Sequence, residues 1–189
     1  MKHRLVRAAD VTPQPWRNGG GATRELLAWP RAEGWRVRVS VAAIDRDGPF
    51  SAFPGVVRWF AVVDGAGVEL TIGERTQRLR RAGPPVSFRG EAETYCRLID
   101  GPTQGLNLML SGVAGAMVLA ADGRAHRVAR NSACGLFSAV AGRCGDIEVP
   151  PRALLWFDEA PATLTFVAGE RTQEPIGWWL TAASAGGAR

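Results

Sequence analysis

Histidine is scarce in this sequence, and its scarcity limits the metal sites that the protein can have. There are two histidines, His3 and His126, and neither belongs to a His-x-His pair. A three-histidine site is excluded by this count, and a site of two histidines and one carboxylate is not indicated because the two lie far apart in the chain. A carboxylate site for Mg²⁺ or Ca²⁺ is not excluded, but the sequence has no clustered acidic motif for it. We therefore expect no metal and no cofactor.

Cysteine and lysine are equally sparse. The three cysteines, Cys96, Cys134 and Cys144, are odd in number and lack the spacing of metal ligands, so we expect buried thiols in a reducing compartment. Lys2 is the single lysine, and it cannot supply the Gly-Lys-Ser/Thr end of a phosphate-binding P-loop. No Gly-x-Ser-x-Gly motif is present, which argues against a serine nucleophile.

The sequence also lacks long apolar runs. No stretch is long enough to span a bilayer, and residues 1–7 lack the apolar core of a signal peptide, so we expect a cytoplasmic protein with no membrane partner. The net charge is +5, but the arginines are dispersed and no nucleic-acid-binding motif accompanies them. We expect no specific nucleic-acid partner, and only a general attraction to small anions.

What the sequence does contain is the pattern of an all-β protein. Its 189 residues, 46% of them hydrophobic, suffice for one large domain or two small ones. Apolar and polar residues alternate in short segments such as 35–41, and turn signals such as Asp47-Gly48-Pro49 separate them, which predicts a sandwich or barrel. The pattern restarts near residue 112. We expect two similar halves, 1–111 and 112–189, packed as one compact unit, with a frayed end over residues 182–189.

The most distinctive segment is Trp16-Arg17-Asn18-Gly19-Gly20-Gly21-Ala22-Thr23-Arg24-Glu25. Glycine permits positive φ and close backbone approach, at a cost in backbone entropy. Pro13 and Pro15 precede the glycines and disfavour the central strand that a dinucleotide-binding motif needs. Two interpretations stay open: a tight structural turn, or a nest of backbone N–H groups that binds an anion. In the second, the ligand-binding residues of the segment are Trp16, Asn18, Gly19, Gly20, Gly21 and Thr23.

Polar residues further along the chain could complete an anion site. Arg38 and Ser40 share one face of a predicted strand and Arg58 begins the next, and a guanidinium offers planar, bidentate donors to a carboxylate. The alternative for both arginines is a solvated strand face. Asn107 stands alone among apolar residues and must find partners. It either pins a neighbouring loop or faces a pocket beside Met109.

Two more residues complete the list of candidates. Phe50, in the segment Phe50-Ser51-Ala52-Phe53-Pro54-Gly55, is either an aromatic wall of the pocket or part of a packed turn. Glu25 is attached to the glycine segment, whereas most other candidate carboxylates lie in turn signals, where Asp has a structural reason to be. Glu25 is therefore the candidate acid or base if the protein is an enzyme, and no other catalytic residue is indicated.

The chain resembles the HutD/Ves family over roughly residues 10–110. The resemblance is carried by the segments 16–25, 35–42, 47–58, 88–91 and 100–109. The resemblance implies a bacterial, cytoplasmic protein with a cupin-like fold (an RmlC-like jelly roll) made of two fused β-barrels, a bicupin. Some members are linked to histidine utilisation, where the proposed role is to bind an intermediate such as urocanate or formylglutamate and moderate flux. The family usually has Asp-Phe where this sequence has Gly105-Leu106, and residues 112–189 match it only weakly.

Two functions are consistent with these residues. The first, which we favour, is a metal-free protein that binds a small anionic metabolite, a carboxylate, and has a regulatory role in histidine utilisation or a related catabolic pathway. The second is a metal-independent hydrolase or isomerase that acts on a small organic acid with Glu25 as acid or base. A third alternative is an interaction module with a vestigial pocket. By analogy with the fold, a homodimer is a plausible assembly.

Overall fold

Nearly all the regular structure is β-strand, as the alternating pattern predicts. The computed structural model describes residues 2–170 and 175–183. Their contacts divide the chain into two compact units, Thr12–Gly112 on the one hand and the residues up to Val11 with those from Val113 onward on the other. The strands are β1 (Arg4–Arg7), β2 (Gln14–Pro15), β3 (Gly21–Trp29), β4 (Val37–Ile44), β5 (Gly48–Pro49), β6 (Val56–Asp64), β7 (Val68–Ile72), β8 (Arg75–Leu79), β9 (Val86–Arg89), β10 (Thr94–Leu98), β11 (Thr103–Ser111), β12 (Gly115–Ala120), β13 (Ala125–Arg127), β14 (Ser132–Ser138), β15 (Gly142–Cys144), β16 (Ile147–Val149), β17 (Ala153–Phe157), β18 (Thr163–Ala168) and β19 (Gly177–Ala183).

The unit Thr12–Gly112 is built from two antiparallel sheets. The larger has the strand order β2-β3-β4-β11-β6-β9 and the smaller β5-β10-β7-β8. Both sheets contribute to one apolar core, with Phe60 and Val62 from the larger sheet and Val68 and Leu70 from the smaller. Because successive side chains of a strand point to opposite faces, Arg58 shares the face of β6 that carries Phe60 and Val62. The cation therefore lies at the border of this core.

The other unit has the same kind of organisation. Its sheets have the orders β1-β17-β14-β19-β12 and β13-β18-β15-β16, and its core includes Leu136, Leu155, Phe166 and Trp179. β1 belongs here because it pairs with β17 along its whole length. The sequence division at 111 assigned these first residues to the other half, since a pairing across some 150 positions leaves no trace in local pattern.

Several details differ from expectation. None of the four sheets formed by the described strands closes into a barrel, because the outer strands of each sheet have one neighbour only. Ala182 and Ala183, expected in a frayed end, lie in β19, where they pair with β14. The rest of that expected end, residues 184–189, is outside the described residues. No helix in the described ranges is long and apolar enough to cross a membrane.

The expectation of buried thiols is confirmed. Cys96, Cys134 and Cys144 are free and buried. Burial raises the pKa of the Cys96 and Cys134 thiols to about 12, and it also raises the pKa of Cys144. Thiols in this state are protonated at neutral pH and are poor nucleophiles.

His126 is stacked on a tryptophan at the core of the unit that contains β13. Its ring lies 4.9 Å from that of Trp179, with 6° between the planes. Its Nε2 atom is buried and has no hydrogen-bond partner within the described part of the chain. Burial lowers the pKa of His126 below its ordinary value, so the folded protein favours the neutral ring.

This arrangement predicts a loss of stability in mild acid. In the unfolded chain the His126 imidazole takes up a proton near its ordinary pKa of about 6.5, whereas the folded state resists protonation. Below that pH the unfolded state therefore binds more protons, and the free energy of unfolding falls as the pH falls. We expect the melting temperature to drop between about pH 7.5 and about pH 5.5, and to drop less in His126→Phe, which keeps an aromatic ring on Trp179. His3→Gln is the matched control and should behave like the wild type. An equal drop in wild type and His126→Phe would contradict this account.

Candidate functional site

A cavity of about 460 Å³ lies in the unit Thr12–Gly112, within the usual size range of small-molecule pockets. Its lining combines cationic, amide and hydroxyl groups with aromatic and other apolar side chains. No aspartate or glutamate of the described residues belongs to it. The lining residues are Pro15, Trp16, Arg17, Asn18, Thr23, Arg38, Ser40, Ala42, Pro49, Phe50, Ser51, Phe53, Arg58, Asn107 and Met109.

Three neighbouring strands bring the polar residues of this cavity together. Met109 on β11 is paired with Arg38 on β4 and with Arg58 on β6, and Asn107 is paired with Ser40. Paired residues of an antiparallel sheet point to the same face, as do residues two apart on one strand. The five side chains therefore share one face. The alternation in the sequence predicted which side chains of one strand share a face. The pairing register of the three strands then brings the polar side chains of those faces together.

Arg58 is buried here without an acidic partner. It is 5% exposed. One terminal nitrogen donates to the Ser51 backbone oxygen (3.1 Å) and the other to Asn107 Oδ1 (3.0 Å), while Nε is buried and has no partner among the described residues. A guanidinium carries five N–H donors, so three of them have no acceptor in the described chain. Arg58 forms no ion pair there either.

Aromatic rings surround the same guanidinium. Its Cζ atom lies 5.0 Å from the ring centre of Phe50, 5.5 Å from that of Phe53 and 5.1 Å from that of Phe88. Such rings attract a cation through their quadrupoles but do not hydrate it. Desolvation by burial, with a smaller repulsion from Arg38, lowers the pKa of Arg58 to about 10. Arg58 is therefore still a cation at neutral pH, although burial has removed most of its hydration.

The hydrogen bond from Arg58 fixes the orientation of the Asn107 amide. An arginine has donors only, so the atom of Asn107 that faces it must be the carbonyl oxygen. The Nδ2 group of Asn107 then remains as a donor beside the Ser40 hydroxyl and Arg38. A cavity wall composed of N–H and O–H donors around a desolvated cation is suited to an anion with several acceptor oxygens, such as a carboxylate.

Glu25 is next to the cavity but does not line it. Its carboxylate accepts a charge-assisted hydrogen bond from Arg38 Nε at 2.6 Å, which compensates the Arg38 charge. Arg17 and Arg58 remain as lining cations for which no ion pair exists within the described residues. Glu25 pairs with Ser40 and so lies on the sheet face that also carries Arg38; its role as acid or base stays a prediction.

The three glycines form the turn that carries one wall of the cavity, and they do not line it. The Gly19 amide donates to the Trp16 backbone oxygen (3.0 Å) and the Gly20 amide to Asn18 Oδ1 (3.0 Å), so neither is available to an anion. Gly19 has φ of +68°, and a Cβ atom at Gly21 would overlap the Ala43 carbonyl oxygen. These contacts favour the structural alternative for the turn, and the ligand-binding role of Gly19, Gly20 and Gly21 stays a prediction.

The rest of that segment does reach the cavity. Trp16 Nε1 donates to Thr23 Oγ1 at 2.8 Å, which joins the turn to strand β3 and holds Trp16, Arg17 and Asn18 against the opening. The other residues predicted for the site, Arg38, Ser40, Phe50, Arg58, Asn107 and Met109, also line it.

Sequence reasoning missed Pro15, Arg17, Ala42 and Pro49 as lining residues, and it named Ser51 and Phe53 only as members of the segment that contains Phe50. Phe53 lies in the same phenylalanine-rich turn as Phe50, which is a signal that could have found it. Ser51 acts through its backbone oxygen, and a backbone contact has no sequence signature. Phe88 comes to Arg58 through the pairing of β9 with β6. No group of three or more His, Cys, Asp or Glu side chains suited to a metal ion occurs in the described ranges.

Comparison with known proteins gives a consistent set of relatives. The family model described as HutD matches residues 8–165. An uncharacterised 21.2 kDa protein of the hutC 3′ region in Pseudomonas putida is 34% identical over 107 residues, 56% of each chain. Protein Ves of Citrobacter koseri is 37% identical over 106 residues, 53% of this chain and 55% of its own. The chain thus spans about half the length of the curated relatives that it matches.

Solved structures share the fold over almost the whole chain. HutD from Pseudomonas fluorescens SBW25, in a structure titled as a formate condition, is 26% identical with a TM-score of 0.82, and the match covers 98% of this chain and 100% of the other. A conserved protein of unknown function from Pseudomonas aeruginosa PAO1 is 22% identical with a TM-score of 0.79, over 97% and 98% of the two chains.

The structural role of the glycines can be tested by comparing two positions of the turn. Gly21→Ala places a methyl group on the Ala43 carbonyl oxygen, and we expect it to lower the free energy of unfolding by about 2–3 kcal/mol. Gly19→Asn faces open space, and asparagine tolerates its positive φ, so we expect a loss below about 1 kcal/mol. Urea unfolding measures both. Equal losses at the two positions would contradict the assignment of Gly21 to a close backbone approach.

Proposed function

This chain belongs to the HutD family of cupin-like proteins, and from that membership and its cavity we propose that it binds a small carboxylate without a metal. We propose further that this binding regulates histidine utilisation, or a related catabolic pathway, in the cytoplasm. The observation that carries the proposal is Arg58: a buried cation with unused N–H donors and no acidic partner in the described chain.

Energetic reasoning supports a ligand at this position. Burying a charge is costly unless it is paired and hydrogen-bonded, and cation–π contacts return only about 0.5–2 kcal/mol. A carboxylate that accepts hydrogen bonds from Arg58 and from the Asn107 amide would compensate the charge and use the free donors together. The rest of a small acid would then lie against the apolar side chains of Trp16, Phe50 and Met109.

The pathway is proposed from relatives. A relative from Pseudomonas putida is described by its position in the hutC region, and a solved relative is called HutD. Urocanate and formylglutamate are therefore the first candidates. Both are carboxylates, and the cavity volume of about 460 Å³ is in the range for ligands of this size.

The finer architecture is also a proposal. We propose that the two units are the halves of a bicupin, each a jelly roll of two facing sheets. What supports this is that each unit contains one larger and one four-stranded sheet. A homodimer remains a proposal by analogy with the fold.

The function can be tested by replacing the NH2 group of the Asn107 side chain with an oxygen. Asn107→Asp keeps the oxygen that faces Arg58 but replaces the remaining donor with an anionic acceptor. The new carboxylate compensates Arg58 from within and repels a bound acid. We expect titration calorimetry to show saturable binding of urocanate or formylglutamate to the wild type and an affinity at least about 100-fold weaker in the variant. The melting temperature of the variant should rise.

Asn131→Asp is the matched control, because Asn131 is exposed and lies outside the unit that contains the cavity. Its affinity should equal that of the wild type. Folded wild-type protein that binds neither acid nor formate, or an Asn107→Asp variant that binds them as the wild type does, would refute the proposal.

A further inference from the structure

A glycine lies close to the cavity, on the sheet face that carries two of the cavity's lining residues. Gly105 is on the face of β11 that also carries Asn107 and Met109, two and four residues further on. A Cβ atom at Gly105 would overlap Cε2 of Phe60 and lie 2.5 Å from its Cζ, closer than real side chains approach. Phe60 is paired with Asn107, but its ring leans over the diagonal neighbour, Gly105. The ring thus occupies the space that a side chain at position 105 would need.

The Phe60 ring is connected to the Arg58 guanidinium through one other side chain, Phe50. Phe60 is fully buried and meets Phe50 edge to face, with ring centres 5.5 Å apart and 62° between the planes. Phe50 lies over the Arg58 guanidinium at 5.0 Å. The Asn107 amide oxygen accepts a hydrogen bond from the same guanidinium. Gly105, Phe60, Phe50 and Arg58 are therefore one continuous series of contacts.

We propose that Gly105 is a positioning residue of the carboxylate site: the absence of its side chain seats Phe60, which supports Phe50 over Arg58. This proposal rests on the carboxylate-binding function proposed above. Any side chain at position 105 drives the Phe60 ring toward Asn107 and Phe50. The Phe50 ring then loses its support, and the Arg58 guanidinium loses the fixed orientation in which its free N–H groups would receive an anion.

The first test measures binding. We expect Gly105→Ala and Phe60→Leu to weaken the binding of urocanate or formylglutamate in calorimetry by about five- to tenfold each. The double variant of Gly105→Ala and Phe60→Leu should have the same affinity as the single variant that binds less tightly, because both changes act through the Phe60 ring. Gly48→Ala is the matched control: it adds the same methyl group in the same unit, where nothing lies within 4 Å and φ is outside the left-handed region. Its affinity should not change.

The second test needs no ligand. The Nε–H group of Arg58 is buried among three rings, so its NMR signal is sensitive to their positions, and loss of that signal in Arg58→Lys assigns it. We expect the signal to move in Gly105→Ala and in Phe60→Leu and to stay in place in Gly48→Ala. If Gly105→Ala does not fold, Phe60→Leu still gives both readouts, since it removes the ring that packs on Phe50 and keeps an apolar side chain in the core.

The outcomes separate this proposal from the function on which it rests. If the Arg58 Nε–H signal moves in the variants but the wild type binds neither acid, the positioning role is upheld and the proposed function is refuted. Wild-type binding that persists unchanged in both variants refutes the positioning role and leaves the function standing. A signal that stays in place in both variants also refutes the positioning role, and so do losses of affinity that simply add in the double variant.

Discussion

The arrangement of the cavity depends on one constraint, which is that Arg58 must stay charged while it is buried. Its surroundings meet that constraint in part. Three aromatic rings lie within 5.5 Å of the guanidinium, and the Ser51 carbonyl and the Asn107 amide oxygen each accept one of its N–H groups. With these contacts the pKa of Arg58 falls only to about 10, which leaves it fully protonated at neutral pH. No carboxylate in the described chain completes the compensation, so the buried charge of Arg58 stays only partly compensated.

A buried, incompletely compensated cation is an unfavourable choice if stability is the only requirement. Replacing such groups with apolar residues of similar volume is often neutral or stabilising, and the cavity already contains Phe50, Phe53 and Met109 as apolar neighbours. Sites that give up stability in this way are usually functional ones. The same reasoning applies to Asn107. Its carbonyl oxygen is used by Arg58, which leaves its amide group as a hydrogen-bond donor at the cavity wall.

Local sequence pattern was sufficient for the fold class and for part of the site. Period-two alternation places Arg38 with Ser40 on one strand face and Asn107 with Met109 on another, and the structure brings these faces together. The pattern could not give the register that sets Met109 between two arginines, nor the pairing of β1 with β17, because both depend on contacts between distant residues. It also could not distinguish a glycine that binds from a glycine that turns. The difference lies in where the amides of Gly19 and Gly20 point, and both are already used inside the turn.

The two arginines beside Met109 show how the same residue type acquires two roles from its neighbours. Arg38 has Glu25 at 2.6 Å, whereas Arg58 has no such partner within the described residues. The charge of Arg38 still lowers the pKa of Arg58, but Arg38 and Glu25 together act on Arg58 as a dipole, and the field of a dipole falls off faster than that of a single charge. Glu25 therefore limits the repulsion between the two guanidinium groups.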